Sequence, residues 1–283
     1  MKKILYTLNV PTEEGKQYEP EIVAMTLPLM KNYAKKIGAE FVEIKDRKFP
    51  DYPIPYEKFQ IYDLAKKSGA DWNIFLDVDA LIHRDYWDPT VLLDKSTTAS
   101  YGSDFTPMRF KPDGVFLRAG HFTGKGNWCA VFSDWARDYY HPLENSDITK
   151  AEAIVSITPT AQEQANGVTS EHLLDDYTVS RNISRYNLKH VLLPELEAAR
   201  KAGAGYLYHM YAMTSAKKLL LLRKTLLSWI LFAVYGPIYT EEINSVNATV
   251  NTWDGTISLK DFVSTLPQSE KIFRTFESWG VPL

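Results

Sequence analysis

The opening stretch of the chain alternates between two hydrophobic periods, and that alternation constrains the fold more than any other feature. Ile4-Leu5-Tyr6-Thr7-Leu8 is an apolar run of strand length. Pro20 to Ile37 reads as a helix, with Pro20 suited to the first turn, Gly38 past the end and Pro28 predicting a kink. Ala39 to Ile44 returns to strand character. The stiff segment Phe49-Pro50-Asp51-Tyr52-Pro53-Ile54-Pro55 precedes a second helix over Tyr56 to Lys67, which carries Phe59, Ile61, Tyr62, Leu64 and Ala65 and is closed by Gly69. Trp72-Asn73-Ile74-Phe75-Leu76 is a third strand that runs into Asp77-Val78-Asp79. This strand–helix–strand–helix–strand order predicts an α/β fold, a mostly parallel sheet flanked by helices. Ligands of such sheets bind beyond the carboxyl ends of the strands, and Asp77 and Asp79 fall at such an end.

Further along the pattern weakens. Thr98 to Tyr101 and Val115 to Leu117 read as strands, and Gly120, Gly124 and Gly126 punctuate a loop before an aromatic helix from about Trp128 to Tyr140. Residues 143 to 168 are poorly patterned and read as a mobile loop. Thr169-Ser170 can cap a helix running through Arg181. Val191 to Leu193 and Tyr206 to Tyr208 are late strands. From Lys217 to Tyr235, two leucine-rich runs flank Arg223-Lys224. The second run is too short to span a bilayer, which favours a buried helix, with peripheral membrane contact through 217–238 as the alternative.

A chain of 283 residues is long enough for one large domain with a trailing extension, here divided as 1–216 and 217–283. A net charge of −3 with no dense basic cluster argues against a nucleic-acid partner. The lone Cys129 excludes an intramolecular disulfide and any cysteine-based zinc site. The basic start at Met1-Lys2-Lys3 is followed by an apolar run that breaks at Asn9 and Pro11, too short for a signal peptide, so a cytoplasmic location is expected. On that expectation the sequons at Asn182 and Asn247 are idle.

Two carboxylates at i and i+2 on a strand end point the same way, because side chains alternate along a strand. Asp77 and Asp79 therefore offer hard oxygen ligands to one divalent cation. A pair of solvated residues opening a turn is the plain alternative, and Asp-x-Asp by itself is common.

The context is more specific. The segments Tyr56-Glu57-Lys58-Phe59-Gln60-Ile61-Tyr62 and Asp71 through Ile82 resemble the helix–strand–Asp-x-Asp unit of GT-A fold glycosyltransferases. The resemblance continues in order. Ala119-Gly120-His121-Phe122 through Trp135 is similar to the acceptor-side strand and aromatic helix, and Thr169 through Asp176 to the acidic helix start. Tyr206-Leu207-Tyr208-His209, with Lys217 or Lys218 downstream, is similar to the late strand with its metal-binding His and phosphate-binding Lys. The likeness covers roughly residues 1 to 218 and is nearest to the retaining, glycogenin-like branch. It departs in lacking the Gly after His209 and in carrying Glu171-His172 at the helix start, which opens the stereochemistry to either outcome.

The resemblance implies a Rossmann-like GT-A domain with a C-terminal helical extension. It also implies transfer of a sugar from a nucleotide-diphosphate sugar donor to a hydroxyl of a saccharide, lipid-linked or protein acceptor, with Mn²⁺ or Mg²⁺ as cofactor. Asp79 is then a direct metal ligand, Asp77 contacts ribose or a metal-bound water, and His209 is a third ligand. Thr7, Asn9 and Lys58 face the nucleotide or its diphosphate, and Lys217 or Lys218 neutralises phosphate. His121 and Trp128 meet the sugars, and one of Glu171, Asp175 and Asp176 is the catalytic carboxylate. Asp175 and Asp176 adjoin on a helix, so at most one serves. Each of these residues has a structural alternative: a turn for Thr7 and Asn9, a solvated lysine, a core aromatic, or helix-start charge compensation for Glu171.

Two other activities share part of the pattern. Haloacid-dehalogenase-like phosphohydrolases carry Asp-x-Asp on the first strand and continue with Thr, whereas here it lies on the third and continues Ala80-Leu81. Sugar-nucleotide pyrophosphorylases need a Gly-rich start that Leu5 to Gly15 lacks. A catalytically inactive carbohydrate-binding protein is the reading from another class.

Overall fold

The computed structural model describes residues 1–11, 18–100, 110, 129–193, 206–209, 213–236 and 241–283. The first elements follow the expected alternation: β1 (Lys3–Leu8), α1 (Pro20–Ile37), β2 (Ala39–Ile44), α2 (Gln60–Ser68) and β3 (Trp72–Asp77). They continue with β4 (Leu81–Ile82), β5 (Thr97–Ser100), β6 (Cys129–Ser133), α3 (Lys150–Val155), α4 (Ala161–Ala165), α5 (Leu174–Arg185), β7 (Lys189–Leu192) and β8 (Leu207–Tyr208). Four helices close the chain: α6 (Ser215–Tyr235), α7 (Glu241–Thr252), α8 (Leu259–Ser264) and α9 (Ser269–Ser278).

The chain forms two compact units. The first comprises residues 1–18, 34–78 and 87–205, and the second 19–33, 79–86 and 206–283. Among the described residues the first unit carries a six-stranded sheet in the order β2-β1-β3-β6-β5-β7. β1 pairs in parallel with β2 and β3, and β5 with β7, while β6 runs antiparallel to both β3 and β5. The fold class is therefore the expected one, a mixed α/β unit with a mostly parallel sheet flanked by helices. β1 is buried from Ile4 to Leu8, as a central parallel strand covered on both faces must be. The core of this unit gathers Tyr6, Phe75 and Phe132 from the sheet with Tyr56, Phe59, Tyr62 and Tyr177 from the helical layer.

The helix ends have local causes. α1 begins on Pro20, whose missing N–H costs nothing there, runs through Pro28, and is followed by Gly38 at φ +69°. α2 ends at Gly69 with φ +62°, a left-handed cap that a side chain would strain.

Several expectations are corrected. The stretch expected as an aromatic helix is instead strand β6, followed by a 3₁₀ turn over Ala136–Tyr139. A five-residue buried strand and a buried helix segment have the same hydrophobic pattern, so periodicity alone could not separate them. Residues 143–168 hold two short helices, α3 and α4. Each starts with a reciprocal capping box, Thr149 with Glu152 and Thr160 with Glu163. The hydroxyl cap expected at Thr169-Ser170 is not made. Thr169 Oγ1 lies 2.9 Å from His172 Nδ1, Glu171–Leu173 form a 3₁₀ turn, and α5 starts at Leu174. The second helix likewise opens as a 3₁₀ turn, Ile54–Phe59, before α2. The expected strand at 115–117 and the glycines at 120, 124 and 126 lie outside the described residues.

In the second unit β4 and β8 form a two-stranded antiparallel ladder. α6 buries Leu222, Leu226, Leu227, Trp229, Ile230 and Leu231, the behaviour of a core helix. No helix among the described residues is long and apolar enough to cross a membrane.

Candidate active site

The acidic pair straddles the division of the chain: Asp77 is the last residue of β3 in the first unit, and Asp79 opens a segment of the second. Each carboxylate has ion-pair partners within its own unit.

In the first unit, β1 lies between β2 and β3, so the chain leaves β1 to one side and returns on the other. Such a reversal, beyond the carboxyl ends of β1 and β3, is the preferred place for a ligand in sheets of this kind. Asp77 stands at that end of β3, in register with Leu8. Lys58, at the end of the 3₁₀ turn before α2, directs its ammonium to Asp77, 3.3 Å from Oδ1, and to Asp175 on α5, 3.0 Å from Oδ2. Its side chain is only 13% exposed, so this lysine is no solvated surface residue. Burial opposes its charge, but Asp175, Asp77 and Asp176 outweigh that and hold the Lys58 pKa above the ordinary lysine value. Burial acts the other way on Asp175, pushing its carboxyl up to about 6 against the pull of Lys58, with Asp176 and Asp77 adding to the rise. One ammonium therefore lies in the field of three carboxyl groups.

The segment leading into Lys58 is fixed by a residue that sequence reasoning passed over. Glu57 is fully buried, and its carboxylate accepts from Arg47 Nε at 3.1 Å, from the backbone N–H groups of Lys48 at 2.7 Å and Phe49 at 2.9 Å, and from Gln60 Nε2 at 3.0 Å. Tyr52 and Tyr56 stack with ring centroids 4.1 Å apart over the same loop. The only signal in the sequence was an acidic residue beside Lys58 within an otherwise aromatic stretch.

In the second unit, Leu81 pairs with Tyr208 and Ile82 with Leu207. Continuing that register by one step sets His209 beside Ala80, next to Asp79. His209 Nε2 lies 3.1 Å from Asp79 Oδ1, and Lys218 Nζ lies 2.5 Å from Oδ2. Burial raises the Asp79 pKa, yet His209 and Lys218 outweigh it and hold the carboxyl well below the usual range. The ladder is anchored nearby: His83 stacks on Tyr206 at 4.5 Å and meets the edges of Trp229 and Trp279 at 5.0 and 5.1 Å. A carboxylate and an imidazole are suitable donors for a divalent cation.

The other candidates fall as follows. Thr7 is buried and its hydroxyl donates to the carbonyl of Leu76 at 2.8 Å, bracing β1 against β3. Asn9 donates through Nδ2 to Glu43 at 2.8 Å. Asp175 is buried at the Lys58 cluster, and Asp176 is half-buried beside it. Glu171 is exposed, with Lys150 as an ion-pair partner at 3.9 Å. Lys217 is exposed, whereas Lys218 reaches Asp79. His121 and Trp128 lie outside the described residues.

Among solved structures the chain is similar to a glycosyltransferase involved in the glycosylation of the major capsid of PBCV-1. The two are 12% identical, the match covers 77% of this chain and 98% of that chain, and the TM-score is 0.44. That neighbour is a glycosyltransferase. A second similar structure, A197 from STIV, is 12% identical over 68% of this chain and 82% of its own, with a TM-score of 0.34. No protein-family model and no curated protein matches the chain.

Proposed function

We propose that the chain is a metal-dependent glycosyltransferase of the GT-A kind, moving a sugar from a nucleotide-diphosphate donor to a hydroxyl of a saccharide, lipid-linked or protein acceptor. One observation carries the reading: β3 ends in Asp77 at the reversal point of the sheet, and Asp79, two residues on, is set against an imidazole. A strand end at such a point is where an α/β sheet takes a nucleotide.

In this reading Asp79 and His209 hold Mn²⁺ or Mg²⁺, with Asp77 as the neighbouring carboxylate on the same chain. A divalent ion so held neutralises charge on a leaving diphosphate as a Lewis acid. Lys58 orients Asp77 through its contact of 3.3 Å. The Lys218 ammonium supplies positive charge for the diphosphate, and the end of β1 around Thr7 and Asn9 borders the nucleotide.

Asp175 and Asp176 are the candidate catalytic carboxyl groups beside Lys58. Asp175, with its raised pKa, suits either proton exchange with an acceptor hydroxyl or stabilisation of charge at the anomeric carbon. The likeness to the glycogenin-like branch favours retention of configuration.

Calorimetric titration of UDP, GDP and their common sugars, with and without Mn²⁺, tests the reading on wild type and Asp79→Ala. Metal-dependent binding that disappears in the variant is the expected result. Absence of binding by every nucleotide, in both metal conditions, overturns it.

A further inference from the structure

We propose that Lys218 is the resident cation of the Asp79 carboxylate and leaves it when a divalent ion is bound, so that metal loading is a cation exchange that frees Lys218 for an anionic donor. The proposal rests on the metal-dependent reading above and adds to it an order of events.

Both oxygens of Asp79 are engaged within the second unit. His209 Nε2 stands 3.1 Å from Oδ1, and Lys218 Nζ stands 2.5 Å from Oδ2. A divalent ion coordinates carboxylate oxygen at about 2.0–2.6 Å. An ammonium that stayed at its present distance from Oδ2 would then be a like charge close to a doubly charged ion, in a site where all three side chains are largely buried. Water screens such a pair poorly, so one of the two cations must give way. The mobile partner is Lys218, whose charge rides on a flexible four-carbon stem.

Its place in the fold lets it move. Lys218 lies in the first turn of α6, where Ser215, Ala216 and Lys217 are exposed. The residues before it in that turn are exposed, so the turn itself is not locked into the core. The start of a 21-residue helix also carries positive potential, which favours an anion once the ammonium is released toward it. Before metal arrives, the same ammonium satisfies a buried carboxylate that would otherwise stand uncompensated by a full positive charge. Lys217, its exposed neighbour, serves neither purpose and is the natural control.

Two measurements without nucleotide or activity test the exchange. Mn²⁺ alone is titrated into wild type, Lys218→Met, Lys217→Met and Asp79→Asn, read by water-proton relaxation. Loss of the competing ammonium is expected to tighten Mn²⁺ binding by about tenfold or more, the scale of one charge-assisted contact. Lys217→Met should bind as wild type does, and Asp79→Asn should bind far more weakly than either.

In the second measurement, wild type is acetylated with and without saturating Mn²⁺ and digested for mass spectrometry. Labelling of Lys218 should rise several-fold with metal while that of Lys217 stays constant; this arm decides the matter should Lys218→Met fail to fold. Mn²⁺ binding in wild type that Lys218→Met leaves unchanged or weakens, or Lys218 labelling that metal does not raise, overturns the exchange and leaves the metal site standing. No Mn²⁺ binding by wild type or by Lys218→Met overturns both.

Discussion

The Lys58 ammonium is held 3.0 Å from the buried Oδ2 of Asp175, joining the end of a 3₁₀ turn to the first turn of α5. Such a pair is weak evidence of stability by itself, because two charges have been taken out of water to make it. Breaking it from one side is another matter. Lys58→Met leaves Asp175 and Asp77 without their shared partner and should cost about 3–5 kcal/mol in urea denaturation. The double variant Lys58→Met, Asp175→Leu should recover much of that loss. A double variant as unstable as Lys58→Met would show that packing around the lysine stem, not charge, is what the residue supplies.

Glu57 should be as sensitive. Its carboxylate gathers four donors from Arg47, Lys48, Phe49 and Gln60. Glu57→Ala strands those donors in a buried place and is expected to cost about 3–5 kcal/mol. The informative readout is local: hydrogen exchange at the Lys48 and Phe49 amides should accelerate far more than exchange in β1. Glu57→Gln, which keeps the shape and loses the charge, should fall between wild type and Glu57→Ala. Uniform acceleration across the whole first unit would mean that Glu57 supports global stability and does not specifically hold the loop that leads to Lys58.

These two residues mark how far the sequence could be read. The alternation through β3 was legible because each element is a run of one period, long enough to register, and is bounded by Pro20, Gly38 or Gly69. Asp77 and Asp79 stood out because the run stops on them. The partners of Lys58 did not, since only the fold brings residues 58 and 175 together. β4 and β8 are two residues each and are far apart in the sequence, so no local pattern could announce that Leu81 lies against Tyr208. Their ladder is nevertheless what sets His209 near Asp79. The boxes Thr149-x-x-Glu152 and Thr160-x-x-Glu163 were readable signals for α3 and α4, obscured by helices only six and five residues long.

The same ladder predicts a role for the last helices. His83, one residue beyond β4, is enclosed by Tyr206, Trp229 and Trp279, and Trp279 in turn receives Asn32 Nδ2 on its carbonyl oxygen at 3.0 Å. Removing one wall should loosen the strand that precedes His209. Trp279→Ala, a large-to-small change at a buried aromatic, is expected to destabilise the second unit by about 3–5 kcal/mol. It should also weaken Mn²⁺ binding although Trp279 carries no ligand atom. Full-strength Mn²⁺ binding in a measurably destabilised Trp279→Ala would separate the helices from the site.

A last prediction concerns acid stability, away from the candidate site. His190 on β7 faces β5, with Nδ1 2.7 Å from Thr98 Oγ1 and Nε2 3.1 Å from Ser100 Oγ. Two hydroxyls suit a neutral ring, one nitrogen donating and the other accepting, and burial pushes the imidazole pKa down to about 3. The unfolded chain, with an ordinary histidine pKa near about 6.5, therefore takes up a proton that the folded chain refuses. The stability contributed by the neutral ring is complete above the unfolded value and declines as pH falls from there toward about 3. The slope for one proton approaches about 1.4 kcal/mol per pH unit, lessened by the solvent that reaches a half-buried ring. His190→Gln keeps hydrogen-bonding capacity and cannot titrate, so its stability measured by denaturant at pH 7, 6 and 5 should fall less steeply than that of wild type. Parallel curves for the two proteins would assign the acid sensitivity of the fold to other groups.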